Sequence, residues 1–536
     1  MGEIPVEETK CLEFEEELNA LLKDSKKTNS EVRDTLRNLA DKYKDKLSLS
    51  DCLELTKTFL LIGALTEAEK FCKLVIDRCP PGSLETLKDK YMALVYLSSV
   101  ASSSANHAIS RTIFLKVLSV IPEFLKHLLW HYVYLMSYDP EMNSRKQRVL
   151  SELNTRHYVT HHSSRPKATP LNGRPLRIGY VSGDFKIHPV GLLLYGVFAA
   201  HDKDKIEAFA YSTLQTDQNS VLDVIKKNST FHDVSTLDDD EFEEQIRSDK
   251  IDILVDLAGY TNGHRLQVFA REPASCMISW LGYWATTGLR SMDSVILDPW
   301  HAPENAGYEK AFTEKIYRLP CVRFCFKPAQ NTPDISPYPP VLDNGYITFG
   351  CFNNTAKYSG LMIRTWAEIL KRVKNSRLIL KWMTFQDEGM CNRIRKSFQA
   401  LGVSEDRVEL RGWSSYVDML SEYQDIDIAL DTFPFSGGIT TCNALWAGVP
   451  LVTLEGNYVA GRQGHAILNA IDLPELSAHN IEHYINIACG LAENRVLLTL
   501  LHVTMRHRML NSQFLNIKSF THYLEDAYLN IYNNMY

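Results

Sequence analysis

Between Ile426 and Gly448 the chain passes from an apolar stretch, through a glycine- and threonine-rich turn, into a helical stretch, an order that few folds accommodate. Ile426-Asp427-Ile428-Ala429-Leu430 has the aliphatic, β-branched make-up of a strand buried on both faces, the kind found in parallel sheets. Cys442 to Gly448 reads as a helix. Between them, Asp431-Thr432-Phe433-Pro434-Phe435-Ser436-Gly437-Gly438-Ile439-Thr440-Thr441 sets two glycines and two threonines where the helix begins. Unpaired backbone N–H groups and hydroxyls meet there, and the helix dipole adds positive potential, which suits a phosphate. An ordinary strand-to-helix turn also uses Gly and Thr, so anion binding needs support from the rest of the chain.

A chain of 536 residues is too long for one core and predicts three or four domains. Its net charge of −7 gives no global basic field, which argues against nucleic acid as a partner. The eleven cysteines show no CxxC pair, a pattern of reduced thiols rather than of a disulfide framework. Cys321 and Cys325 lack a second pair at zinc-site spacing and read as buried thiols. The start, Met1-Gly2-Glu3-Ile4-Pro5, lacks the basic and apolar regions of a signal peptide, and Val6 stands where a myristoylation signal needs Ser or Thr. No apolar run reaches the ~18 residues of a membrane helix. These features predict a cytoplasmic protein, or a nuclear one in a eukaryote, without a membrane partner.

Residues 1–165 carry 3.6-residue periodicity and few strand signals, predicting an all-α region. Leu55, Phe59, Gly63, Ala68, Cys72, Val75 and Pro80 follow a tetratricopeptide-like spacing, in which small side chains let two helices approach. A looser copy runs through Leu97, Ala101, Phe114, Val117 and Pro122. So few units rarely stand alone, and the region is expected to pack on segments later in the chain. Thr160-His161-His162-Ser163-Ser164-Arg165-Pro166 reads as a connector.

From Arg177 strands and helices alternate. Strands are expected at Arg177–Ser182, Ile206–Tyr211, Ile251–Leu257, Cys276–Leu281 and Ser294–Asp298, with a helix at Asp238–Ser248. After the Pro-rich stretch Lys327–Pro340 the pattern resumes. Strands are expected at Ile347–Gly350, Arg377–Trp382, Val408–Leu410, Ile426–Leu430 and Leu451–Thr453, and helices at Gly360–Arg372 and Phe514–Tyr532. The expected order is a helical region (1–165), a Rossmann-like domain (175–340), a second Rossmann-like domain (345–510) and a C-terminal helix (511–536).

Four further segments sit where an open α/β sheet places its ligands. Ser182-Gly183-Asp184-Phe185-Lys186-Ile187-His188-Pro189 leaves the first strand, with His188 held extended before proline and suited to a general base or donor. Leu257-Ala258-Gly259-Tyr260-Thr261-Asn262-Gly263-His264 is a glycine-bracketed loop, and the aromatics of Trp280-Leu281-Gly282-Tyr283-Trp284 either wall a ligand or fill a core. Phe352-Asn353-Asn354-Thr355-Ala356-Lys357 ends on an ammonium able to neutralise charge on a leaving group.

Together these segments resemble the catalytic region of protein O-GlcNAc transferases and SPINDLY-type proteins. The likeness rests on Gly179-Tyr180-Val181-Ser182 with His188-Pro189, Gly259-Tyr260-Thr261, Trp280-Leu281-Gly282-Tyr283, Phe352-Asn353-Asn354 with Lys357, Leu430 to Thr441, and Leu445-Trp446-Ala447-Gly448-Val449-Pro450-Leu451-Val452-Thr453. It spans roughly residues 175 to 530.

The resemblance implies a GT-B fold and an inverting, metal-independent transfer of sugar from a nucleotide diphosphate to Ser or Thr of proteins or peptides, with no cofactor beyond the donor. By position His188 and Lys357 are the catalytic candidates. Asn354, Gly437, Gly438, Thr440, Thr441, Asn443 and Arg462 are the donor-binding candidates. Asp425-Ile426-Asp427 has the DxD spacing of metal-using glycosyltransferases, yet flanks an expected buried strand. Met419-Leu420-Ser421-Glu422 replaces the His-Val-Arg-Arg stretch with which the animal enzymes contact uracil, Ile439 replaces a threonine, and Asn443 replaces a ribose-binding Asp. These departures leave UDP-GlcNAc and GDP-fucose both open as donors. An enzyme on a small acceptor or on the nucleotide sugar itself, and a non-catalytic repeat scaffold, are the alternatives.

Overall fold

A computed structural model describes residues 11–23, 29–79, 84–122, 126, 129–158, 164–328 and 332–535. Pro80, the first residues through Val6 and the His161-His162 connector fall outside them. The chain folds into two compact units, one of residues up to 125, 138–140 and 340–427, the other of 126–137, 141–339 and 428 onward. Among the described residues no helix is long and apolar enough to cross a membrane.

In the first unit the repeat-like spacing forms helical hairpins. Leu49–Leu61 starts on a capping box in which the Ser48 hydroxyl takes the Asp51 amide and the Asp51 carboxylate takes the Ser48 amide. It is followed by Leu65–Arg78, and Leu55, Phe59, Ala68, Cys72 and Val75 are fully buried, so the small residues do bring the helices together. Leu84–Ser103 and His107–Val120 form the next pair, with Phe114 and Val117 inside. As expected, these helices pack on later sequence. Asp387 accepts the Thr66 amide (2.8 Å) and hydroxyl (3.0 Å), and Arg33 donates to the Gln386 carbonyl (2.6 Å). The helices Trp130–Leu135 and Ser144–Thr155 belong to the second unit, where Gln147 donates to the Tyr283 hydroxyl at 2.8 Å.

The second unit holds a parallel sheet of β1 (Leu176–Ser182), β2 (Ile206–Ser212), β3 (Thr230–Asp233), β4 (Ile253–Asp256), β5 (Cys276–Ser279), β6 (Ser294–Leu297) and β7 (Lys315–Arg318). Their order is β3-β2-β1-β4-β5-β6-β7, with Tyr180 opposite both Ala210 and Val255. The order reverses at β1 and β4, so the loops leaving those strands open the crevice where such sheets bind ligands. Helix Ile517–Asn533 closes this sheet from the chain's far end. Its Glu525 accepts from His201 and from the Asp202 amide, and its Tyr532 hydroxyl donates to Asp252.

The first unit holds the parallel strands β8 (Ile347–Cys351), β9 (Ser376–Lys381) and β10 (Val408–Arg411) in the order β10-β9-β8. The strands β11 (Ile428–Leu430), β12 (Leu451–Leu454) and β13 (Ser477–Ala478) lie in the second unit in the order β11-β12-β13. Helix Gly360–Arg372 has the bounds read from sequence. The strands that sequence did not announce, β3, β7 and β13, are all at sheet edges. An edge strand is half-wet and short, so Thr230-Phe231-His232-Asp233 and Lys315-Ile316-Tyr317-Arg318 carry no apolar run.

Candidate active site

The loop after β1 presents His188. It caps helix Pro189–Ala200 from an extended backbone, with Pro189 at the first helical position as its fixed φ favours. Nδ1 lies 3.3 Å from Asp184 Oδ2 and 3.4 Å from the Val190 amide, which pins the ring, while Ile187 beside it is exposed. Asp184 also faces Lys186 at 3.6 Å. Burial holds the His188 imidazole below its ordinary pKa, with Asp184 pulling it up and Lys186 pushing it down. The lowered pKa favours the neutral form of the ring.

The loop after β11 is organised by one buried carboxylate. Asp431 Oδ1 accepts the amides of Thr432 (2.8 Å) and Gly437 (2.7 Å), and Oδ2 accepts the Thr453 hydroxyl from β12 (2.7 Å). That folds the chain back so that Gly438 caps helix Ile439–Trp446. A Cβ on Gly437 would stand 2.6 Å from Thr441 Oγ1 and 2.7 Å from Thr440 Oγ1, so any side chain there would fill the space between the hydroxyls. Thr441 Oγ1 is buried and finds no hydrogen-bond partner among the described residues. Its hydroxyl has bonding capacity to spare. Asn443 is buried one turn further on.

Arg462 ties the turn that follows β12 to its neighbours. It is buried, with its Nε on the Trp300 carbonyl and one terminal nitrogen on the Gly456 carbonyl (2.9 Å) and Glu455 (2.8 Å).

In the other unit, Asn354 and Lys357 share the turn after β8. The Asn354 side chain accepts the Ala356 amide (2.9 Å) and starts the short helix Thr355–Lys357. Lys357 Nζ lies 3.2 Å from Asn353 Oδ1. The turn is held by His107 of the helical hairpins, whose Nε2 bonds the Tyr358 carbonyl at 2.8 Å.

Other candidates resolve into supporting roles. Tyr260 and Tyr283 are buried and fill the core, with the Tyr260 hydroxyl on the Thr287 carbonyl. Trp280 is buried with its indole N–H on the Arg323 carbonyl, while half-buried Trp284 packs edge-on to Phe435 at 4.5 Å. Asp427 is consumed by the amides of Val341 (2.8 Å) and Thr348 (2.7 Å), and Asp425 pairs with Arg411 (2.6 Å). Burial raises the Cys321 and Cys325 thiols to about 12, and the Cys325 thiol donates to the Phe514 carbonyl. Glu422 pairs with Lys381 at 2.7 Å, and Leu420 is buried. Sequence reasoning missed Asp184, Asp431 and Ser436 as organisers. An Asp directly after a buried strand, six residues before a glycine, was the available sign of Asp431.

A model of the glycosyl transferase family 41 matches residues 141–333 and 339–524. The chain belongs to glycosyl transferase family 41. This family-41 chain is 35% identical over 364 residues to an Arabidopsis thaliana protein described as "Probable UDP-N-acetylglucosamine--peptide N-acetylglucosaminyltransferase SPINDLY", covering 67% of this chain and 40% of that one. To the "SEC" protein of the same plant, described as the same kind of probable transferase, it is 31% identical over 383 residues, covering 70% and 39%. It thus spans about 40% of the length of the curated relatives it matches. Among solved structures, a lysine-to-methionine mutant of the Thermobaculum terrenum O-GlcNAc transferase has a TM-score of 0.84 at 29% identity, covering 98% of this chain and 99% of that one. The fold is GT-B: two parallel-sheet, Rossmann-like domains after a helical region.

Proposed function

We propose that this family-41 glycosyltransferase transfers a sugar with inversion from a nucleoside diphosphate to a Ser or Thr hydroxyl of protein acceptors, without a metal. The observation that carries the reading is the cradle at Gly437, where two threonine hydroxyls, one of them buried and unsatisfied, meet the start of a helix. Hydroxyls, amides and the helix dipole stabilise the charge that grows on a departing diphosphate, and Lys357 supplies a full positive charge on the same kind of strand-end turn. In the reaction the acceptor oxygen bonds to the anomeric carbon as that carbon's bond to the phosphate oxygen breaks. The bonding pair leaves with the diphosphate, and neutral His188 orients the hydroxyl and can take its proton. Asp425 and Asp427, which have the spacing of a metal-binding DxD pair, spend their carboxylates on Arg411 and on backbone amides.

UDP-GlcNAc and GDP-fucose are the donors to compare. The names of the relatives favour UDP-GlcNAc. The replacement of the uracil-contacting stretch by Met419-Leu420-Ser421-Glu422 keeps GDP-fucose in the comparison. The test is thermal stabilisation of the purified chain by UDP, UDP-GlcNAc, GDP and GDP-fucose in EDTA, followed by transfer to a protein acceptor. A ligand at a hundred times its Kd adds about 2.7 kcal/mol, and one nucleotide pair is expected to do so. No stabilisation by any of the four would sink the reading.

A further inference from the structure

Beside the Asp431 carboxylate, a second set of contacts that braces the cradle loop runs through the buried Arg462. The chain of contacts begins after β6. Asp298, fully buried, accepts the amides of Trp300 (2.9 Å), His301 (2.8 Å) and Arg323 (2.7 Å) and the His301 ring nitrogen (2.6 Å). Burial by itself would raise the Asp298 pKa, but His301 and these amides hold it below the usual carboxylate value, so the loop is set by a fixed negative charge. The turn so formed aims the Trp300 carbonyl at Arg462 Nε.

Arg462 in turn ties the short helix Val459–Arg462 to the end of β12 through Gly456 and Glu455. The same turn encloses Ser436. The Ala460 carbonyl accepts the Ser436 amide (3.0 Å) and hydroxyl (2.9 Å), and the Ser436 hydroxyl oxygen receives the Gln463 amide (3.0 Å). A Cβ on Gly461 would strike the Pro434 carbonyl, so the turn lies directly against the loop. Ser436 precedes Gly437, whose amide and missing side chain define the cradle.

We propose that Asp298, Trp300, Arg462 and Ser436 form a clasp that holds the diphosphate loop in its binding conformation before donor arrives. Arg462 is then a positioning residue acting through Ser436, not a donor contact, and the clasp runs from the β6 loop of the first sheet to the loop after β11. The assignment rests on the proposed function for its ligand but not for its contacts. A preformed loop spares the ordering cost at binding, so a broken clasp should weaken donor capture more than it slows the bound complex.

Arg462→Gln and Ser436→Ala open the clasp at different points, so a folding failure in one leaves the other. In the full chain, amide hydrogen exchange across 432–441 is expected to rise at least tenfold in both. Exchange in β1 and in the Leu49–Arg78 hairpin should stay unchanged. With the donor that stabilises the wild type, KM for donor should rise about tenfold while kcat changes less than threefold and acceptor KM does not move. Unchanged exchange in 432–441 overturns the clasp, as does a fall in kcat at constant donor KM, the mark of a smaller active fraction. A wild type that transfers no sugar would count against the function while the exchange still decides the clasp.

Discussion

The Asp431–Thr441 loop is shaped from within, by a carboxylate that takes two amides of its own loop and a hydroxyl from the next strand. The Asn353–Lys357 turn is steadied from without, since His107, 251 positions away from Tyr358, supplies the hydrogen bond to its far end. The first loop carries its own organising carboxylate, with the Val459–Arg462 turn bracing it at Ser436; the second depends on a separate set of helices staying docked. The difference teaches that two strand-end turns can have different failure modes. One breaks by losing a charge and the other by losing a neighbour.

The largest effect should come from the lysine of the externally held turn, on the proposed function. Lys357→Met is expected to cut transfer by ~10²–10³-fold, as for other charge-stabilising donors, with an unchanged melting midpoint. A loss under tenfold would remove Lys357 from leaving-group stabilisation. His188→Ala should cost ~10²-fold, in the range for a general base. Because burial lowers the His188 pKa, the neutral ring persists into mild acid, so kcat/KM should rise with pH along a limb below 6.5 that the variant lacks.

Next is the internal plan. Asp431→Asn keeps the shape but replaces an acceptor oxygen by an NH₂ donor, and should lower stability by ~1–3 kcal/mol in urea titrations and weaken nucleotide binding. The external plan should be gentler. His107→Ala removes one hydrogen bond and leaves a small cavity, costing about 1–2 kcal/mol. It should speed exchange around 353–358 but not around 432–441, and equal effects on both loops would erase the contrast. A drift with pH bears on the whole fold rather than on either loop. Burial lowers the pKa of His107, of His465 to about 4 and of His264 to about 3. The unfolded chain takes up these protons near 6.5 while the folded chain resists, so urea midpoints should fall as pH drops from 6.5 towards 4.

Much of this architecture was legible because buried parallel strands and their turns leave a strong local signature. Ile347–Cys351, Ile428–Leu430 and the glycine–threonine run after the latter are of that kind, and so are the helix Gly360–Arg372 and the buried Ala68 and Cys72. Edge strands such as Lys315–Arg318 were silent since half of each faces water. The roles of single residues were less legible. Arg462 reads as a donor contact by position, and sequence carried no sign that its Nε and one terminal nitrogen are engaged by Trp300, Gly456 and Glu455. Only three-dimensional pairing shows which way a guanidinium is spent. The same holds for His107, which carries no local sign that it reaches Tyr358.

The first unit is discontinuous, its hairpins coming from before residue 125 and most of its remaining body from 340–427. During synthesis the ribosome must deliver residues 141–339 between the two pieces, an interval of roughly 10 to 40 s at ~5–20 residues per second. Throughout it, the face of the hairpins that will meet Asp387 and Tyr358 has no partner yet made. Maturation of this unit is therefore not vectorial: its hairpins wait for a segment synthesised much later, and a nascent-chain chaperone acting on residues 11–122 would be released only after residue 427 has emerged.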